Sequence, residues 1–131
     1  MNKEFIPYEQ ALELKELGFD DKCFAAMDMY SNIDYGSEMY DWIKNGETVQ
    51  STWAALPLYQ QAFRWFREKY GLYSEIFVDD NKTFGFLISS FIEEGRLDKP
   101  LTRLFNTYEE AELGCVKQLI EIIERKAEAY S

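Results

Sequence analysis

The chain has 131 residues, 47 % of them hydrophobic and 17 % aromatic, so it can bury a sizeable core and is not a disordered segment. Fourteen Lys and Arg stand against 24 Asp and Glu, and the resulting charge of −10 disfavours non-specific binding to nucleic acid. The sequence has no histidine, which removes the commonest general base and metal ligand, and its length predicts a single domain over residues 1–131.

In chain order, the first helix is predicted to start at Pro7 and stop before Gly18. Tyr8, Ala11, Leu12, Leu14 and Leu17 form its apolar side, and Glu9, Glu13 and Glu16 the opposite stripe. Residues 23–30 read as a strand, Ser31-Asn32 and Tyr35-Gly36 as turns, and 39–43 as the returning strand, closed by Asn45-Gly46. Residues 47–55 fit either a short strand or a loop. Pro57 and Gly71 frame the second helix, in which Tyr59, Ala62, Phe63, Phe66 and Tyr70 recur at helical spacing. Trp65 and Leu58 widen that face, while Arg64, Arg67 and Glu68 are left to solvent.

Two further strands, 73–78 and 83–91, bracket Asp79-Asp80-Asn81-Lys82 as a hairpin loop. A polar connection, 93–98, follows. Thr107 and Glu110 then form a capping box for a third helix, with Leu113, Val116, Leu119, Ile120 and Ile123 at core spacing. The polar tail, 125–131, is expected to fray. The order is α-β-β-α-β-β-α, and the expected class is α+β: an antiparallel sheet of about four strands with three helices packed mainly on one face.

The chemistry available is narrow. Cys23 and Cys115 form no staple pattern and read as reduced, buried thiols of a cytoplasmic protein. The N-terminus lacks the order of a signal peptide, and no apolar run is long enough for a membrane span. Without histidine, the thiols could be activated only by Lys, Arg or a helix terminus; no glycine-rich phosphate loop is present, and no cofactor or metal is expected. Carboxylates remain. Glu75, Asp79 and Asp80 are the candidates for a small Mg²⁺-dependent hydrolase or nuclease. Glu112 projects into the apolar stripe among Tyr108, Cys115, Val116 and Leu119. It is either a buried acid with a raised pKa, or an acid that reaches solvent, an Arg or a Tyr hydroxyl.

Charge placement says more. Residues 1–50 hold 11 acids and 4 bases, a balance of −7, whereas 51–100 balance at −1 and 101–131 at −2. Most of the acidity thus belongs to the first helix, with Glu9, Glu13 and Glu16, and to the first hairpin. There Asp28, Asp34, Glu38 and Asp41 alternate with Tyr30, Tyr35, Tyr40 and Trp42. Acids interleaved with amphipathic aromatics suit a surface that binds a basic protein. An ordinary solvated face with its aromatics turned to the core is the other reading.

Three segments carry a resemblance. They are Phe5-Ile6-Pro7-Tyr8-Glu9-Gln10-Ala11-Leu12 with Lys15-Glu16-Leu17-Gly18-Phe19; Pro57-Leu58-Tyr59-Gln60-Gln61-Ala62-Phe63-Arg64-Trp65-Phe66-Arg67; and Thr107-Tyr108-Glu109-Glu110-Ala111-Glu112-Leu113. In this order they resemble a group of small uncharacterised proteins of Bacteroidota bacteria, their phages and mobile elements. The resemblance brings no activity and no functional residue; it implies an accessory protein of phage or mobile-element type. The expectation is therefore a non-enzymatic acidic interaction protein whose partner is a protein with a basic surface, without direct contact to nucleic acid or membrane. Its sharpest form is an anti-defence inhibitor that mimics nucleic acid, for example at an RNA-guided nuclease. The alternatives are the Mg²⁺-dependent hydrolase and a homo-oligomeric structural module such as a homodimer, since 22 aromatics are many for one small core to hide.

Overall fold

The computed structural model describes residues 4–35, 45, 53–90 and 104–129, with side chains up to 126 in the last stretch. The described elements are α1 (Tyr8–Glu16), β1 (Ala25–Asp28), β2 (Ile33–Tyr35), β3 (Trp53–Leu56), α2 (Tyr59–Tyr70), β4 (Leu72–Val78), β5 (Phe84–Ser90) and α3 (Tyr108–Ala129). The class is α+β, and helices and hairpins alternate in the predicted order. The strands are grouped differently from a single sheet of about four. They form two antiparallel sheets, one of three strands in the order β2-β1-β3 and one of two, β4-β5. The ambiguous segment before Pro57 supplies β3, which pairs with β1 from Ala25↔Leu56 to Asp28↔Trp53. The chain divides into two compact units, Met1–Gln61 and Ala62–Ser131.

In the first unit, Pro7 caps α1 from an extended conformation, and its carbonyl accepts the Ala11 N–H at 2.9 Å. The helix ends where predicted. Gly18 takes a φ of 97°, its N–H reaches the Lys15 carbonyl, and the Phe19 N–H reaches the Leu14 carbonyl, satisfying the last turn. Gln10, Ala11 and Leu14 are buried, and α1 packs on β3, where Lys15 Nζ donates to the Trp53 carbonyl at 2.6 Å. Central β1 is buried at Ala25, Ala26 and Met27 alike.

Strand β1 stops at Asp28 instead of running to Tyr30. The returning strand is Ile33–Tyr35, earlier in the chain than the predicted 39–43, which lies outside the described residues. Helix α2 opens at Tyr59, two residues after Pro57, because the backbone at 57–59 is already engaged. Phe5 bridges to Leu58, the Ile6 N–H donates to the Pro57 carbonyl, and the Tyr59 N–H to that of Glu4. Buried Asn45 ties two segments together: its Nδ2 donates to the Phe19 carbonyl and its Oδ1 accepts the Ala55 N–H, both at 3.0 Å.

The helical spacing of α2 translates into burial. Tyr59, Ala62, Phe63, Trp65 and Phe66 are buried, whereas Arg64, Arg67 and Glu68 are exposed. Trp65 meets Phe66 edge-to-face at 5.0 Å, and the helix ends at Gly71 with a φ of 66°. Strands β4 and β5 pair from Leu72↔Ser90 to Val78↔Phe84, within two residues of the predicted bounds. Phe105 adds an antiparallel bridge to Phe84, and its ring lies against Gly114 of α3, where a Cβ would fall 2.5 Å from Cζ. The Thr107 hydroxyl accepts the Glu110 N–H at 3.1 Å, opening α3 with the hydroxyl half of the predicted capping box. Ala111, Cys115, Val116, Leu119, Ile120 and Ile123 are buried, and α3 packs on β4 and β5. Leu113 is only half-buried. The tail does not fray at residue 125: the helix runs to Ala129, with a Glu121–Arg125 ion pair one turn apart. Among the described residues no helix is long and apolar enough to cross a membrane.

Candidate functional site

The first hairpin turns on one carboxylate. Asp28 Oδ1 accepts the N–H groups of Tyr30 and Asn32, and its Oδ2 accepts the Asn32 amide, all at 2.9 Å. The Asp28 N–H donates to the Asn32 carbonyl and the Ser31 N–H to that of Asp28, while Ser31 takes a φ of 67°. The Asn32 side-chain hydrogen bond, aided by backbone N–H groups, holds the Asp28 carboxyl below its usual range. Asp28 is therefore a loop-building residue, its carboxylate engaged by three hydrogen bonds from its own loop.

What the loop displays is aromatic and apolar. Tyr30 is 78 % exposed, Met29 66 %, Tyr35 57 % and Phe24 49 %. Asp34 is exposed on β2, paired across the sheet with Ala26, and Tyr35 with Ala25. Tyr30 and Tyr35 were singled out in the sequence by their alternation with acids. Met29 and Phe24 were not, although Met29 sits between Asp28 and Tyr30 beside a turn signal. On α1, Glu9 and Glu16 are exposed, whereas Glu13 is half-buried instead of fully on the solvent stripe. Glu38, Tyr40 and Asp41 lie outside the described residues.

In the second unit Glu112 is buried, and burial, with Glu109 nearby, pushes its pKa up to about 6. Burial, then the charge of Glu112, raises the Tyr108 phenol. Burial drives both thiols up to about 12, with a Ser74 hydrogen bond opposing the shift at Cys115 and Asp21 adding to it at Cys23. Both are inert thiols at neutral pH. Asp79 opens the β4–β5 loop and accepts the Thr83 hydroxyl at 3.5 Å, while Glu75 is exposed along β4. Among the described residues no group of three or more Cys, Asp or Glu is placed to hold a metal ion, so Glu75, Asp79 and Asp80 are not brought together as one.

No protein-family model matches the chain, and neither a curated protein nor a solved structure does.

Proposed function

We propose that this chain is a non-enzymatic acidic interaction protein that binds a basic protein through its first unit. The observation that carries the reading is the exposure of Tyr30 and Tyr35, 78 % and 57 %, beside Asp34 in a unit of eleven acids and four bases. Amphipathic rings supply contact area, and the surrounding carboxylates select and steer a positively charged partner. In its sharper form the protein is a phage or mobile-element accessory that occupies the nucleic-acid site of a basic host protein and so inhibits it.

The test is affinity capture from host lysate with the immobilised chain, at low and at raised salt, read by mass spectrometry. A basic, nucleic-acid-handling protein should be enriched at low salt, released as salt rises, and displaced by its own nucleic acid. Enrichment of no basic protein at low salt would overturn the proposal. Enrichment without displacement by nucleic acid would remove the inhibitor form and leave the interaction.

A further inference from the structure

We infer that the β1–β2 loop is the anchor of that interface, with Met29 and Tyr30 entering an apolar pocket bordered by lysine or arginine side chains on the basic partner. This rests on the reading above and adds which residues carry it.

The argument comes from a second loop in the same molecule. At 79–83 the Asp79 N–H donates to the Thr83 carbonyl at 2.7 Å, the Lys82 N–H donates to the Asp79 carbonyl at 2.9 Å, and Lys82 takes a φ of 60°. At 28–32 the same two backbone bonds run from Asp28 to Asn32 and from Ser31 to Asp28, with Ser31 at 67°. In both loops an Asp at the first position accepts a hydrogen bond from the side chain at the fifth. The second and third positions are therefore equivalent, and in the β4–β5 loop they hold exposed Asp80 and Asn81, residues that water solvates without cost. In the β1–β2 loop they hold Met29 and Tyr30, which are left largely in water. Loop geometry does not ask for them, and neither does the core.

The chemistry of the pair names the kind of pocket. Tyr gives a large, stiff contact surface at low entropic cost, Met adapts to an irregular apolar wall, and both are enriched where proteins meet. A cation at the rim gains from the face of the Tyr30 ring and from Asp34 on the adjoining strand. Two backbone N–H groups, of Tyr30 and Asn32, and the Asn32 side-chain amide bond the Asp28 carboxylate and hold the loop before binding, so little ordering is left for the encounter.

The test uses the full chain with p-benzoylphenylalanine in place of Tyr30 or, separately, of Asn81, irradiated in host lysate. The Tyr30 probe should crosslink a basic protein that the Asn81 probe does not. Exchanging the tip for its counterpart, Met29→Asp with Tyr30→Asn, should weaken retention of that protein about tenfold or more without moving the melting temperature. Asp28→Ala, which frees the loop, should weaken it by roughly three- to tenfold. If the unaltered chain retains a basic protein and the tip exchange changes retention by less than about twofold, the anchor is wrong and the proposed function stands. If the unaltered chain retains no basic protein at low salt, that function fails, and the anchor with it.

Discussion

The two hairpin loops share a backbone and differ in what they show to water. Each is held by an Asp at its first position, a left-handed residue at its fourth and, at its fifth, a polar side chain that donates to the Asp carboxylate. One carries Asp80 and Asn81 at its tip, the other Met29 and Tyr30. The loop chemistry is satisfied at the first, fourth and fifth positions, so the tip is free to vary without altering the turn. Apolar side chains at one tip and polar ones at the other thus separate what folding requires from what it merely permits.

The sharpest contrast is between the apolar tip and the apolar face of α2, where similar side chains meet opposite surroundings. Phe66 is fully buried, with Trp65 and Tyr70 around it. Removing such a ring from a packed core costs roughly 3–5 kcal/mol, a large share of the about 5–15 kcal/mol that holds a domain together. Phe66→Ala should therefore bring the chain close to unfolding in urea, while Arg67→Ala, at an exposed position, should change stability by less than about 0.5 kcal/mol. An inverted ranking would mean that burial does not track the energetics of α2, and the contrast with the tip would lose its meaning.

The second unit holds the converse mismatch, a carboxylate inside. Burial raises Glu112 from an ordinary 4.5 to about 6, so the folded state takes up a proton more readily than the unfolded one. The stability gained from the protonated acid is fully present below pH 4.5 and is lost as the pH rises through about 6. At about 1.4 kcal/mol per pKa unit, the loss is on the order of 1–2 kcal/mol. Glu112→Gln should flatten stability across that window and raise it by a similar amount at pH 8, as read by urea unfolding at several pH values. An unchanged slope between pH 4 and 7 would show that other groups set the dependence.

Much of this was legible in the sequence where the signals are local. Pro7, Gly18, Gly71 and Thr107 mark helix ends through their own backbone geometry or hydroxyl, and the β4–β5 loop lies in an unbroken polar run between two apolar ones. The first hairpin was displaced because Met29 and Tyr30 break the polar run of its turn, leaving only Ser31-Asn32 to mark it. Asp28 makes it through bonds to residues two and four positions on, while Met29 and Tyr30 read as strand formers. The start of α2 shifted for a non-local reason, the engagement of 57–59 by the N-terminal segment. A helical wheel was enough to place Glu112 in the apolar stripe. Met29 carries no such signal, because nothing in the residue type distinguishes an exposed methionine from a buried one.

If the two loops are one geometry, they should respond alike to glycine. Ser31 and Lys82 both occupy the left-handed region, which costs a residue with a Cβ about 1–2 kcal/mol, and glycine is the usual occupant of this place in three-residue hairpins. Ser31→Gly and Lys82→Gly should each stabilise by roughly 0.5–1 kcal/mol, the relief being partly offset by the greater freedom of glycine in the unfolded chain. Thermal melting of the two variants should move upward in parallel. A gain at one loop and a loss at the other would show that the shared backbone hides different strain.

The smallest expected effect on stability tests the comparison most directly. Met29 and Tyr30 are 66 % and 78 % exposed, so replacing them with Asp and Asn, the residues of the other tip, gives up little buried surface. The Asp28 bonds to the Tyr30 and Asn32 backbone and to the Asn32 amide do not depend on the replaced side chains. One added carboxylate beside Asp28 raises local repulsion, and screening by salt keeps that term small at a solvent-facing loop. The exchange Met29→Asp with Tyr30→Asn should thus leave urea stability within about 0.5 kcal/mol of the original. A loss of 2 kcal/mol or more would mean that the tip packs against the protein itself, and the case for an outward-facing anchor would collapse.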